Sequence, residues 1–183
     1  IPDIYQCNDL WEFSLVDPDN RRPIDYGPRR ALLDRLRAAP PDPADLLANW
    51  TDGRVKLWLT QAALTCRRDH PDLFLDGDYL PLDISGRHRE HLVAFARHHA
   101  NDWAVILAPR LTLILAGRTG LDLGQPPIGS IWDDTAVNLP PDAPVSWREA
   151  LTGATIAATS GALRVSEILT SFPMALILAD GDR

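Results

Sequence analysis

Short apolar runs separated by turn residues occupy the chain from Tyr79 onward and constrain its fold more than any other feature. Glycine, proline, asparagine and aspartate interrupt these runs, as they do between the strands of an antiparallel sheet. Regular spacing of such strands is typical of an antiparallel sandwich or barrel. The pattern predicts strands at residues 79–84, 91–96, 103–108, 111–115, 135–139, 155–158 and 174–179, and it leaves 163–169 undecided between a strand and another conformation.

The first half of the chain instead shows helical periodicity. Residues 25–28 (Asp-Tyr-Gly-Pro) are a helix-start signal, because proline is preorganised for the first helical turn. Leu32, Leu33 and Leu36 follow at helical spacing with arginines between them, so we expect an amphipathic helix with a basic outer face. The prolines within 39–43 are expected to end this helix.

A second helix is predicted to begin near Thr51 and Asp52, either of which can cap it, and to end at Pro71. Its apolar positions recur at spacings of three and four residues: Val55, Trp58, Leu59, Ala62, Ala63 and Cys66. The change of periodicity that follows divides the chain into two expected regions, 1–75 with loop and helices and 76–183 with antiparallel strands.

Composition and charge exclude several classes of protein. The chain has 183 residues, of which 45% are hydrophobic, enough for one large domain or two small ones. Its net charge of −7 argues against a nucleic-acid partner, since phosphate binding requires a basic surface. No apolar run approaches the roughly 20 residues that span a bilayer, so we expect no membrane partner.

The cysteines and the first residue indicate the compartment and the origin of the chain. Cys7 and Cys66 are too few for a disulfide scaffold and are expected to be reduced thiols of a cytoplasmic protein. The chain shows no signal peptide. Because Ile1 stands where a native chain begins with Met, we expect a processed or partial polypeptide.

The densest polar cluster is residues 17–23, with the sequence Asp-Pro-Asp-Asn-Arg-Arg-Pro. Two prolines stiffen it, and its carboxylates, amide and guanidinium groups can exchange hydrogen bonds with sugar hydroxyls. The same composition is typical of a salt-bridged surface turn, because Asx-Pro segments are common turns. The residues alone therefore leave a sugar-binding loop and a surface turn as alternatives.

The second half contains histidine and tryptophan clusters to which we assign no site. Four histidines could suggest a metal centre: His88, His91, His98 and His99. No cysteine or acidic residue completes a ligand set and the neighbourhood is basic, so we expect a solvated turn and strand edge with no metal and no cofactor. Three tryptophans are expected in the core and not on a sugar-binding surface: Trp103, Trp132 and Trp147.

Residues 1–6 (Ile-Pro-Asp-Ile-Tyr-Gln) and 9–25 (Asp-Leu-Trp-Glu-Phe-Ser-Leu-Val-Asp-Pro-Asp-Asn-Arg-Arg-Pro-Ile-Asp) closely resemble one region of the maltooligosyl trehalose synthase family. That region follows the seventh strand of an α-amylase-type barrel. The second segment is the more specific, since Pro-x-x-Tyr-Gln is shared widely across the α-amylase superfamily. Further resemblances occur at 52–57, 67–74, 77–82, 91–97, 132–135 and 151–153.

One position departs from the family pattern. Cys7 stands where the family has glycine, and Asp9 corresponds to the family's glutamate. Glycine allows backbone angles that a side chain resists, so the loop around Cys7 is expected to differ.

The resemblance implies both a fold and a reaction. The fold is α+β, with the last strand, loop and helices of an α-amylase-type (β/α)8 barrel, followed by an antiparallel β-sandwich-like C-terminal domain. These isomerases convert the reducing-end α-1,4 linkage of a maltooligosaccharide into an α,α-1,1 linkage. Such retaining chemistry uses two carboxyl groups about 5 Å apart. In the superfamily these groups lie on earlier barrel strands, so we assign no catalytic residue and expect the chain alone to be inactive without the remainder of the barrel.

The resemblance also assigns residues to the substrate side, where loops after barrel strands gather. It implies roles in binding the sugar or orienting the site for Asp9, Asp17, Asp19, Asn20, Arg21 and Arg22, with Tyr5 and Trp11 as packing partners.

Two other functions stay open. The chain could be a non-catalytic carbohydrate-binding or interaction module, or part of another α-amylase-type glucanotransferase or hydrolase. The loop at 17–23 favours the synthase, because a β-sandwich module has no need of it. A lone barrel strand has two unpaired edges, so the first 25 or so residues are expected either to be mobile or to pair with a second copy in a strand-exchanged dimer.

Overall fold

The computed structural model describes residues 8–14 and 17–180. The chain divides into two compact units, Ile1–Ala62 and Ala63–Arg183. Helices and turns form the described part of the first unit, and antiparallel strands dominate the second. The N-terminal barrel strand expected from the resemblance, together with Tyr5 and Cys7, lies outside the described residues.

The first unit contains α1 (Tyr26–Ala38), α2 (Pro43–Ala48) and the beginning of α3 (Arg54–Asp69). The start of α1 confirms the prediction, since the carboxylate of Asp25 accepts a hydrogen bond from the backbone N–H of Gly27 at 2.9 Å. Helix α2 was not predicted, because the prolines before it were interpreted only as the end of the preceding helix. Pro43 occupies its first turn, where the missing N–H costs no intrahelical hydrogen bond.

Helix α3 agrees with the second predicted helix. The carboxylate of Asp52 accepts from the backbone N–H of Arg54 at 2.8 Å, so this residue caps the helix as expected. Pro71 was predicted to close this helix, and that prediction is confirmed, since α3 ends at Asp69. Pro71 then begins a separate short helix that was not predicted, α4 (Pro71–Leu75), for the same reason that Pro43 can begin α2.

The second unit contains nine described strands: β1 (Asp78–Pro81), β2 (Ile84–Ser85), β3 (Leu92–His99), β4 (Asp102–Pro109), β5 (Ala136–Asn138), β6 (Ser146–Glu149), β7 (Thr155–Ala157), β8 (Ala162–Arg164) and β9 (Ala175–Ala179). They form a six-stranded sheet in the order β1-β3-β4-β9-β6-β7 and a three-stranded sheet in the order β2-β5-β8. All neighbouring pairs are antiparallel, which confirms the antiparallel prediction for this half.

Both sheets contribute to one hydrophobic core. Val105 and Leu107 of β4, Val137 of β5 and Leu163 of β8 are all fully buried within it. The three tryptophans also lie in this core, as expected from their apolar neighbourhoods: Trp103, Trp132 and Trp147.

The run at 111–115 was predicted to be a strand, and that prediction is wrong. It begins α5 (Thr112–Thr119), whose Leu115 and Ala116 are buried while Leu113 is exposed. A short continuous apolar run fits a buried strand or a buried helix turn equally well. Packing of one helical face decides between them here.

Two further differences concern short elements. The undecided segment 163–169 contains the end of β8 and then α6 (Val165–Ile168). Strand β6 was not predicted, because Ser146–Glu149 alternates polar and apolar residues over only four positions. A clear alternation signal needs a longer run.

The expectation of a solvated histidine cluster is also wrong in part. His88 and His91 are buried, with 5% and 1% of their surfaces exposed. His98 stacks on Trp103 with ring centroids 3.9 Å apart. Within the described residues, no group of three or more histidine, cysteine, aspartate or glutamate side chains could hold a metal ion. None of the described helices has the length and apolar character needed to cross a bilayer.

Candidate functional site

Residues 8–14 lie against the helices of the first unit. Asp9 forms a half-buried ion pair with Arg29 of α1, with 2.8 Å between Oδ2 and Nη1. Lys56 of α3 donates from Nζ to the Oδ1 of Asn8 at 2.7 Å and to the carbonyl of Leu10 at 3.1 Å. These contacts hold the segment that precedes residues 17–23, the polar loop.

Trp11 is fixed by a second set of contacts. Its indole N–H donates to the carbonyl of Trp50 at 2.6 Å, and the two rings meet edge to face with centroids 6.0 Å apart. The Nζ of Lys56 lies 5.5 Å from the centroid of the Trp11 ring, a cation–π distance. Gly53 permits this packing, because a Cβ there would lie 3.1 Å from Leu10 Cδ2. Trp11 thus packs against Trp50 and Lys56, and its expected role on the substrate side stays a prediction.

The polar loop itself contains a 3-10 turn, Asp19–Arg21. Arg21 pairs with Asp17, with 3.0 Å between Nη2 and Oδ2. Both side chains are largely exposed, at 75% and 58%. Asn20 lies within the turn, and its side chain lies outside the described part of the chain. An exposed pair of this kind contributes little to stability.

Arg22 is held by two residues that were not among the candidates. Its Nη2 lies 2.6 Å from the Oε1 of Glu12 and also contacts the hydroxyl of Ser14. The backbone N–H of Ser14 donates to the same Oε1 at 2.8 Å. Glu12 and Ser14 belong to the run at 9–25 that carries the family resemblance, which was the signal available in the sequence. The sequence did not show that the segment folds so that Glu12 and Ser14 contact Arg22.

The hydrogen bonds from the Ser14 hydroxyl and backbone, followed by Arg22, lower the pKa of Glu12 to about 2. This carboxylate therefore stays charged at any physiological pH and cannot serve as a proton donor. Its role is to orient the guanidinium of Arg22.

Arg21 and Arg22 border an open depression of about 620 Å³. Its other lining residues include Asp19 and Phe13, and the Phe13 ring is 87% exposed. The depression combines an apolar ring with guanidinium and carboxylate groups. Such a combination suits a sugar, which presents an apolar C–H face together with hydroxyls that both donate and accept.

Cys66 has no comparable chemistry. It is a free, buried thiol, and burial together with the charge of Asp69 raises its pKa to about 11. A thiol with so high a pKa stays protonated near neutral pH and is a poor nucleophile.

Comparison with known proteins gives strong matches to one group. No protein-family model matches the chain. Curated proteins from two strains of Mycobacterium tuberculosis, CDC 1551 / Oshkosh and ATCC 25618 / H37Rv, are each 37% identical to it over 180 residues. Both carry the name maltooligosyl trehalose synthase. The match covers 98% of this chain but only 19% of each relative.

Solved structures agree with these relatives. A mutant of maltooligosyltrehalose synthase from Arthrobacter ramosus is 38% identical, with a TM-score of 0.72, over 97% of this chain and 20% of that one. A second structure, of a maltooligosyl trehalose synthase, is 22% identical, with a TM-score of 0.62, over 97% and 19% of the two chains. The latter likeness concerns the fold alone. The resemblance identified from the motifs is confirmed, and the chain spans about a fifth of the proteins it matches.

Proposed function

Because this chain matches a portion of maltooligosyl trehalose synthases over nearly its whole length, we propose that it is the C-terminal part of such an enzyme. The parent enzyme isomerises the reducing-end α-1,4 linkage of a maltooligosaccharide to an α,α-1,1 linkage. The observation that carries this proposal is the 37% identity over 98% of the chain.

The catalytic carboxyl groups of the parent belong to parts of the protein outside this chain. The chain supplies a substrate-side loop and needs no cofactor. Two cysteines are too few for a disulfide framework, which suits a cytoplasmic enzyme.

Within the loop, Arg22 contacts the sugar. Glu12 and Ser14 hold its guanidinium on one side, which leaves further N–H groups of the fork for substrate hydroxyls. Asp19 and Arg21 border the same depression and are the second choice for sugar contacts. The proposal thus gives the polar loop a binding role and gives Glu12 a positioning role.

Substitution in the full-length parent enzyme tests this role. Arg22→Ala, Arg21→Ala and Asp19→Ala are each assayed with maltopentaose by the loss of reducing ends. A charge-assisted hydrogen bond contributes about 1.5–3 kcal/mol, so the loss of one to the transition state lowers kcat/KM roughly tenfold to a hundredfold. The melting temperature should stay unchanged.

Two controls make the result specific. Arg30→Ala removes an exposed arginine of α1 that does not border the depression, and it should leave kcat/KM unchanged. Arg22→Lys keeps the charge and loses the planar fork, so it should recover little activity. Full activity in all three loop variants removes the loop from the active site. A full-length gene product without isomerase activity would instead favour a binding module.

A further inference from the structure

One cavity of the second unit has no role in the proposed reaction. Its volume is about 830 Å³, within the range of small-molecule sites. Three segments form it: the turn before β3, the end of α5, and the 3-10 helix Gly129–Trp132. All of its lining residues belong to this unit.

The charged and hydroxyl groups of the cavity are mainly hydrogen-bond donors. Arg87, Arg118 and Ser130 line it, and Asp133 is the acidic residue among its described lining residues. Asp133 is already engaged, since its Oδ2 lies 3.2 Å from the Nη1 of Arg87. Glu90 lies 3.9 Å from Arg118, at the outer limit of an ion pair. The guanidinium groups therefore keep a surplus of N–H donors, in a protein whose net charge is −7.

Two buried imidazoles lie beside these donors. His88 lines the cavity, and His91 lies behind it with Nε2 3.3 Å from the Nη1 of Arg118. A guanidinium cannot accept, so Arg118 donates to this Nε2. The Nδ1 atoms of both histidines lack a hydrogen-bond partner among the residues the structure describes. A negatively charged ligand rich in hydrogen-bond acceptors would complement the donors on this side of the cavity, the wall formed by Arg87, His88 and Arg118.

The backbone that carries Arg87 and His88 is anchored by hydrogen bonds to the segment 134–135. The backbone N–H of Arg87 donates to the Oδ1 of Asp134 at 2.7 Å, and that of His88 donates to the buried hydroxyl of Thr135 at 3.1 Å. Gly86 adopts φ +93°, and a Cβ there would lie 2.6 Å from the Cα of Thr135. The Trp-x-Asp-Thr motif at 132–135 thus positions a binding wall. Preorganisation of this kind lowers the entropic cost of binding.

We propose that this cavity binds the phosphate group of a small organic phosphate, with Arg87, Arg118 and Ser130 as donors to its oxygens. Arginine forks match phosphate oxygens in geometry as well as charge. Leu121, Ile128 and the remaining volume accommodate the carbon skeleton, because the cavity is much larger than a phosphate ion. A neutral sugar fits less well, since it needs acceptors and donors in similar numbers.

Isothermal titration calorimetry on the full-length protein tests the proposal at fixed pH and salt. The probes are glucose 6-phosphate, inorganic phosphate and glucose. Glucose 6-phosphate should bind, inorganic phosphate should bind more weakly, and glucose should give no signal at the same concentration. Arg118→Gln should weaken glucose 6-phosphate binding about tenfold to a hundredfold, the usual effect of one charge-assisted hydrogen bond.

The matched control is Arg148→Gln, which removes an exposed arginine of β6 that does not line the cavity. It should leave binding unchanged. If Arg118→Gln lowers the melting temperature, Ser130→Ala is the second variant to test. It should also weaken the binding of glucose 6-phosphate. Failure of both phosphates to bind at millimolar concentration overturns the proposal. So does equal binding of glucose, or an equal loss in Arg148→Gln.

Discussion

Glu149 is a carboxylate enclosed by its own hairpin and only 3% exposed. Its Oε2 accepts from the backbone N–H groups of Leu151 and Thr152, at 3.0 and 2.5 Å, and its Oε1 accepts from that of Leu176 at 3.3 Å. The Leu-Thr-Gly motif at 151–153 thus wraps a buried acid. Its role is structural, because a buried carboxylate needs such donors to offset the loss of water.

We expect Glu149→Gln to lower the free energy of unfolding by about 1–3 kcal/mol. The amide nitrogen would face an N–H donor in place of an acceptor oxygen, and leaving a buried donor unpaired costs about 1–3 kcal/mol. Chemical denaturation measures this change. Glu167→Gln, at an exposed position of α6, is the control and should change stability by less than about 0.5 kcal/mol. Equal stability of both variants would contradict the role assigned to Glu149.

Glu12 gives a prediction about pH. Its pKa lies at about 2, below the ordinary 4.5, chiefly because of Ser14 and then Arg22. A lowered folded-state pKa means that the stabilisation is fully present above pH 4.5 and is lost as the pH falls toward 2. In a carboxyl NMR titration, Ser14→Ala should raise the pKa of Glu12 more than Arg22→Gln does. An unchanged pKa in Ser14→Ala would show that the serine does not hold this carboxylate.

Among the elements, α5 and β4 show how alike two apolar runs can look. Both are short and continuous, and one is a helix while the other is a central strand. Strand β4 has apolar residues on both faces, since Val105 and Leu107 pack in one hydrophobic cluster while Ala104 and Ile106 pack in another. Helix α5 buries one face and leaves Leu113 and Ile114 exposed. Periodicity cannot separate these cases within so few residues.

The turn between β2 and β3 depends on Gly86. We expect Gly86→Ala to lower the free energy of unfolding by about 2 kcal/mol or more, because a side chain there meets both a positive φ and the backbone of Thr135 at 2.6 Å. Thermal or chemical denaturation measures the change.

Gly117 provides the matched control for this turn. It lies inside α5, and a Cβ there would meet nothing within 4 Å. Gly117→Ala should therefore raise stability by about 0.5–1 kcal/mol, since alanine loses less backbone entropy in a helix. Similar effects of the two substitutions would contradict the strain assigned to Gly86.

At the scale of the whole molecule, the chain is a portion of a larger protein by comparison, with two compact units of its own. We expect the isolated chain to leave the reducing ends of maltopentaose unchanged, because our proposal assigns the two carboxyl groups of the reaction to the rest of the parent enzyme. The full-length enzyme is the positive control in the same assay. Turnover above buffer by the isolated chain would contradict this expectation.

The expected strand-exchanged dimer stays a prediction. It depends on an N-terminal barrel strand that lies outside the described residues. Light scattering of the isolated chain measures the state directly, and a strict monomer at high concentration would count against the exchange.

The residue pattern by itself determined the helical first part, the antiparallel strands after residue 78 and the capping of α1 and α3. It could do so because proline, capping carboxylates and recurring apolar runs act locally, within one turn or one strand. The long motif at 9–25 was enough to identify the related enzymes, since a specific run of this length seldom recurs by chance.

Only the tertiary structure decided which distant residues meet. It brought Glu12 and Ser14 to Arg22, Trp11 to Trp50, and the backbone of His88 to the hydroxyl of Thr135. It also made a helix of 111–115, because burial of one face is a property of the packed molecule. Long-range contacts depend on how the elements pack. A single sequence gives the identity of both residues in such a contact but not the fact that they are in contact.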